Sequence, residues 1–372
     1  MKIPGAKPYC PDIPALLPKL QSVLESGRLI LGPFTKELEK EFATYIGVTH
    51  AIAVATCSAA LEIVMRYIGV TGGEVIVPAN TFIACANSVL YAGGSPVFAE
   101  IEKESCCLSL SDVIRKVTPK TKAVMAVHLA GLPMPQIQEL RAFCSQRRIF
   151  LIEDCSHAHG ASIDGRTVGS IGDAGCFSFL ATKVMTSGVG GMITTNDENL
   201  MCFARSVRHQ GEGDNLENII HLGNDWLMGE MSAAFGVHEL HYLDEIITER
   251  NVIARKYRTR IERMRHIKPN AIPVTVRHSY YKFLATLDAR VDKDALVRGM
   301  KDAGVETNSL YARVIYRHSV YQQMGYPAGL CPDTEEIIKH QISFPVYSKM
   351  TDEEIAYVMD TLEAEISKCI AA

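Results

Sequence analysis

Ile149-Phe150-Leu151-Ile152-Glu153-Asp154, running on into Cys155-Ser156-His157-Ala158-His159-Gly160-Ala161, is the stretch on which the fold turns. A short apolar run that ends on a carboxylate and a polar turn reads as a buried strand. Three similar runs precede it, at 73 to 78, 96 to 101 and 122 to 128. Between them, Thr81 to Tyr91 and Pro135 to Gln146 carry apolar residues at helical spacing, and Ser111 is the expected N-cap of a further helix. Strand and helix in alternation give an α/β fold with a mostly parallel sheet flanked by helices. Ligands on such sheets bind beyond the carboxyl ends of the strands, which sets Asp154 over a pocket.

Beyond this region, 228 to 267 is rich in helical character and long enough to bridge to a second unit. That unit shows a strand candidate at Tyr280 to Leu287, a helix at Asp292 to Ala303 and an amphipathic helix from Thr351 to about Ile366. The expected division is a large cofactor-binding domain over 1–245 and a smaller α+β domain over 246–372. The 372 residues, 47% hydrophobic and 22% charged, suit a folded globular chain. A net charge of −4 from 38 basic and 42 acidic residues, without a block of one sign, gives no footprint for nucleic acid. Eleven cysteines without regular spacing point to a reducing compartment rather than a disulfide framework. With no secretory leader and no run of about 18 apolar residues, the expected location is the cytoplasm, away from membranes. No metal-ligand pattern stands out.

Downstream of Asp154 comes Gly175-Cys176-Phe177-Ser178-Phe179-Leu180-Ala181-Thr182-Lys183, then Val184-Met185-Thr186-Ser187-Gly188-Val189-Gly190-Gly191. A single lysine stands between an apolar strand and a glycine-rich turn. With these motifs, others fall in a fixed order: Glu25-Ser26-Gly27, Leu31-Gly32-Pro33, Thr56-Cys57-Ser58-Ala59-Ala60-Leu61, Asn80-Thr81-Phe82-Ile83-Ala84, His128-Leu129-Ala130-Gly131, Gly223-Asn224-Asp225 and Ile342-Ser343-Phe344-Pro345-Val346-Tyr347. Together they resemble the DegT/DnrJ/EryC1/StrS family of sugar aminotransferases, within the fold-type I pyridoxal-phosphate enzymes.

The resemblance implies pyridoxal 5'-phosphate as cofactor, with Lys183 as its Schiff-base lysine and proton carrier. It implies Asp154 as the partner of the pyridine nitrogen and His157 as the neighbour of the 3-hydroxyl, although a structural histidine is the other reading there and the preferred one for His159. Ser58 and Ala59, opening a helix from Ser58 to Tyr67, are implied for the phosphate, since a helix start offers free N–H groups and a favourable dipole. Ser178 is implied as a second phosphate donor and Phe82 as the plate against the pyridine ring. Asn224 is implied to reach the phosphate of a partner subunit in a homodimer with shared sites. A plain N-cap, a strand hydroxyl, core packing and a loop asparagine are the respective alternatives for these four.

Two places depart from the family pattern: Val189 follows Gly188 where relatives carry glutamate, and Asp225-Trp226-Leu227 replaces an aromatic and then a basic residue. The implied reaction moves an amino group from glutamate or glutamine to a nucleotide-linked keto-sugar. The stretch 153–161 together with 183–188 also resembles the branch that aminates cyclitol ketones such as scyllo-inosose or makes aminohydroxybenzoate. A cofactor-binding regulator without turnover is a third reading.

Overall fold

Parallel strands covered on both faces are apolar throughout rather than alternating, and Thr121 to Val127, buried at every position but Lys122, is such a strand. The computed structural model describes residues 1–214 and 217–370. Its strands are β1 His50–Val54, β2 Glu74–Pro78, β3 Ser95–Ala99, β4 Thr121–Val127, β5 Phe150–Asp154, β6 Ser162–Ile163, β7 Arg166–Thr167, β8 Ala174–Ser178, β9 Gly191–Thr195, β10 Ile267–Pro269, β11 Val276–Arg277, β12 Phe283–Leu287 and β13 Gln341–Phe344. Seven of them form one sheet in the order β1-β9-β8-β5-β4-β2-β3. Six run the same way, and β9 alone is antiparallel to its neighbours β1 and β8.

The order places the ends of β1, β2, β4, β5 and β8 along one edge, each followed by a segment singled out in the sequence. Gly191, the first residue of β9, packs there against the turn after β1: a Cβ on it would lie 2.4 Å from the Thr56 carbonyl carbon. Only glycine allows that approach. A second glycine is fixed by a carboxylate. Glu230 accepts the N–H groups of Gly32, Phe34 and Thr35 at the start of the helix Pro33–Ile46, and a Cβ on Gly32 would meet it at 2.5 Å. The acid thus satisfies N–H groups that a helix start leaves without partners and lies at the positive end of its dipole.

Two three-stranded sheets complete the chain, β10-β12-β13 and β11-β6-β7. The first carries its own apolar core, in which Ile3, Tyr257, Phe283, Leu296, Phe344 and Leu362 are buried. The terminal helix Asp352–Ile366 packs on it and starts with a reciprocal cap between Thr351 and Glu354.

Several element limits differ from expectation. The helix expected from Thr81 is Ala84–Tyr91, because Thr81 turns its hydroxyl to Cys85 Sγ at 3.3 Å and leaves Phe82 ahead of the first turn. Ser111 does not cap: the helix Leu110–Lys116 has Ser109 at its N-cap, and Ser111 lies in the first turn with its hydroxyl 3.0 Å from that of Ser109. The helix expected from Pro135 is Ile137–Arg147, and the one expected from Ser58 is Cys57–Ile68, with Thr56 accepting the Ala59 N–H at 3.1 Å. The stretch 228 to 267 divides at Tyr242 into the helices Glu230–His241 and Leu243–Ile261. The strand expected from Tyr280 begins at Phe283, because Tyr280 takes a φ of 50°, outside the extended region. No helix among the described residues is long and apolar enough to cross a membrane, and none of the cysteines is paired in a disulfide.

Candidate active site

Asp154 closes β5 at the sheet edge and is buried. Its Oδ1 accepts the Ser156 N–H at 2.9 Å, and its Oδ2 accepts the Cys85 thiol at 3.0 Å. Burial, and then the nearby Asp154 charge, hold the Cys85 thiol well above its ordinary pKa, so sulfur keeps its proton and donates. A carboxylate offers about four acceptor positions. Two remain on Asp154 for a further donor.

Lys183 follows β8 in the connection to β9, and its Nζ lies 4.8 Å from the centre of the Tyr281 ring. Among the described residues it makes no salt bridge. Its charge acts on Cys57, His157 and His159, and Cys57 is also acted on by Asp154, so both charges lie near that thiol. His157 stacks on Tyr281 with ring centres 4.3 Å apart. Burial, followed by the charge of Lys183, pushes its pKa well below the ordinary value, so the ring is neutral. Because Ala130 N–H donates to Nδ1 at 3.3 Å, the proton sits on Nε2, which is 3.4 Å from Tyr311 Oη. Tyr311 accepts that proton and keeps its own hydroxyl hydrogen for another partner. His159 is fully buried 5.7 Å from both Phe177 and Phe179, and burial followed by Lys183 lowers its pKa to about 3.

Phe82 is 54% exposed with its ring 6.0 Å from Tyr311. An aromatic ring left open beside a pocket offers a flat surface to a flat ligand. Ser58 is exposed in the first turn of the helix Cys57–Ile68 and Ala59 is buried beside it. Ser178 ends β8, where its Oγ accepts only a long 3.5 Å bond from Leu180 N–H and keeps its own proton to donate. Asn224 is exposed, its Oδ1 accepting the Asp225 N–H at 2.9 Å. Its loop lies along the helix Cys57–Ile68 of the same chain: Ala55 N–H donates to the Trp226 carbonyl, and Arg66 donates to the Leu222 carbonyl and sits 5.2 Å over the Trp226 ring.

Sequence reasoning missed Tyr281, Tyr311 and Cys85. Tyr311 is placed by Asn80, which accepts its N–H at 2.9 Å and donates to the Leu310 carbonyl at 3.0 Å. That clamp spans 231 positions, and only the neighbouring Asn80-Thr81-Phe82 motif hints at it. His128, Glu153 and Cys155 also lie within metal-ligand range of one another. His128 and the N–H groups around Glu153 take up that carboxylate, as set out below.

A lysine, a buried carboxylate with acceptor positions to spare, an open aromatic ring and a helix start with free hydroxyls suit one group: a flat, protonated heteroaromatic aldehyde carrying a phosphate. The family model for DegT/DnrJ/EryC1/StrS aminotransferases matches residues 14–363. The chain is 32% identical over 360 residues to the spore coat polysaccharide biosynthesis protein SpsC of Bacillus subtilis, covering 92% of each. It is 33% identical to a GDP-perosamine synthase of Vibrio cholerae, covering 91% of this chain and 90% of that one. The aminotransferase TlmJ from Streptoalloteichus hindustanus superposes with a TM-score of 0.92 at 28% identity, over 98% of this chain and 99% of that one. The fold is that of a pyridoxal-phosphate-dependent aminotransferase. The chain belongs to the DegT/DnrJ/EryC1/StrS aminotransferase family.

Proposed function

We propose that this aminotransferase moves an amino group from glutamate or glutamine to the keto carbon of a nucleotide-linked sugar, using Lys183, Asp154 and His157 as its catalytic set. Pyridoxal phosphate, when bound, supplies the electron sink that lets a C–H bond next to nitrogen break. The Nζ of Lys183 anchors the cofactor and then carries the proton between the reacting carbons. Asp154 holds a proton on the ring nitrogen through its unused acceptor positions, and neutral His157 donates from Nε2. Ser58, Ala59 and Ser178 hold the phosphate and Phe82 covers the ring. The observation that carries the reading is Asp154: buried at the sheet edge and two bonds short. We take residues 1–245 as the unit that holds the cofactor and 246–372 as the smaller domain.

The sugar reading is supported by the similarity to the GDP-perosamine synthase along nine-tenths of both chains. The cyclitol reading is favoured by one observation: Val189, 52% exposed, puts an apolar side chain where relatives carry an acid. A half-reaction screen separates them. Protein in the amine-bearing form is mixed with nucleotide-linked keto-sugars and with scyllo-inosose, and the return of the cofactor's visible absorbance identifies the acceptor. Turnover of the cyclitol alone would overturn the sugar reading. In the same proposal, the working unit is a homodimer in which Asn224 reaches the partner's phosphate site. Mixing inactive Lys183→Ala with inactive Asn224→Ala chains under subunit exchange restores part of the activity if the site is shared. No recovery despite proven exchange would mean that each chain builds its own.

A further inference from the structure

We propose that Lys282 is the binding residue for the α-carboxylate of the amino donor, and so selects the first substrate of the reaction without taking part in recognition of the second. The inference rests on the aminotransferase reading of the site. A cavity of about 490 Å³ is lined by Tyr281 and Tyr311, the two rings that contact His157, and by Lys282, Glu306, Asn308 and Ser309. Lys282 Nζ lies 5.6 Å from the centre of the same Tyr281 ring that Lys183 Nζ approaches to 4.8 Å. The two ammonium groups therefore share one aromatic ring. In the proposal, the carboxylate on the carbon next to the amine delivered at Lys183 is taken by the second.

The cation is poorly matched inside the protein. Among the described residues Lys282 forms no salt bridge, and its one hydrogen-bond acceptor is the carbonyl of Gly5. An ammonium has three donors, so two remain. Burial, then repulsion by Arg250 and Lys183, lowers its pKa to about 8, with Glu306 acting in the opposite direction. Glu306 lines the same cavity, where its Oε2 accepts the Gly5 N–H at 2.8 Å and it forms no salt bridge with Lys282 among the described residues. The other buried cation nearby, Arg250, donates from one guanidinium nitrogen to the carbonyls of Tyr280 at 3.1 Å and Val346 at 2.8 Å; its Nε has no partner among the described residues, but Arg250 does not line the cavity, whereas Lys282 does. An incoming carboxylate would supply the direct charged partner that Glu306, acting without a salt bridge, does not. A keto-sugar or cyclitol brings no carboxylate to that place.

The expected result is a split between the two halves of the reaction. In cofactor-loaded protein, Lys282→Met and Lys282→Gln raise the KM for the amino acid by about thirtyfold or more, the loss typical of removing one partner of a buried charge pair. The acceptor half-reaction, started from the amine-bearing form, stays within about threefold of wild type. Glutarate, a dicarboxylate that cannot react, binds the wild-type protein in calorimetry, loses affinity by a similar factor in both variants, and regains part of it in Lys282→Arg. Equal losses in both half-reactions, or unchanged glutarate binding, overturn the role of Lys282 and leave the aminotransferase reading standing. A wild-type protein that loads the cofactor but transfers no amino group from any amino acid overturns both.

Discussion

Glu153 and Asp154 are neighbours on β5 and project to opposite sides of the sheet. Both are buried acids, yet they differ in how many bonds the protein gives them. Glu153 accepts from His128 Nε2 at 3.0 Å and from the N–H groups of Gly169, Ile171 and Gly172 at 3.0, 2.7 and 2.6 Å. Its acceptor positions are full, and although burial pushes its pKa up, His128 and these donors hold it below the ordinary value. Among the described residues, Asp154 receives only Ser156 N–H and the Cys85 thiol. A third acid, Glu239, receives a single 3.4 Å bond from Thr186 N–H among the described residues, which offer no partner for Oε1. Burial raises it to about 8. Buried carboxylates thus sort by their donors: saturated ones hold the scaffold, starved ones give up their charge, and the half-served one faces the chemistry.

The most severe test of this comparison leaves the acids alone. Lys183→Ala is expected to bring amino transfer below detection while thermal unfolding stays close to wild type, because no bond that shapes its loop uses the lysine side chain. Reduction with borohydride and peptide mapping check the anchor, and label on another lysine would refute it. Next comes Asp154→Asn, which keeps much of the cofactor but loses roughly a hundredfold or more in rate, as expected for removal of a preorganised charge. Glu153→Gln should show the reverse pattern: stability falls by about 3 kcal/mol, since a saturated buried network is broken, while the folded fraction keeps its rate constant. Urea unfolding and active-site titration separate the two. Near wild-type turnover in Asp154→Asn, or a rate defect in folded Glu153→Gln, breaks the comparison.

Glu239 sharpens it through pH. Its folded pKa, about 8, lies above its unfolded value, so between the two the folded chain keeps a proton that the unfolded chain releases. The stabilising contribution is full at acid pH, below the unfolded value, and is lost as pH rises through about 8. Glu239→Gln cannot ionise and should gain about 5 kcal/mol over wild type at pH 9 and almost nothing at pH 4. A difference that does not change with pH would show that Glu239 is charged in the folded chain. The smallest effect is expected at Cys85. Cys85→Ala removes a donor worth about 1 kcal/mol and should weaken cofactor retention about fivefold, whereas Cys85→Ser keeps a donor and stays near wild type.

Much of this was legible in the sequence for a physical reason. The strands at 74–78, 121–127 and 150–154 are buried on both faces, so their apolar runs announce them, and Asp154 and Lys183 stand where such runs end. The limits of elements were less legible, because side chains at the edges had choices. Thr81 turned to Cys85 instead of capping a helix, and Tyr280 took a left-handed φ instead of extending its strand. Tyr281, Tyr311 and Lys282 could not be read at all. They enter the pocket from the second half of the chain through contacts such as Asn80 with Tyr311, and no local pattern encodes a bond between residues so far apart.

The loop that carries Lys183 is closed on itself. Phe179 N–H donates to the Gly190 carbonyl at 2.9 Å, and the Phe179 carbonyl accepts from Ser187 N–H and the Thr186 hydroxyl, both at 3.0 Å. Shape here is inherited from backbone and threonine, and reactivity from one side chain that the shape does not need. A lineage could therefore exchange that lysine in a single step and keep the pocket, so that in this scaffold catalyst and mere receptor stand one codon apart.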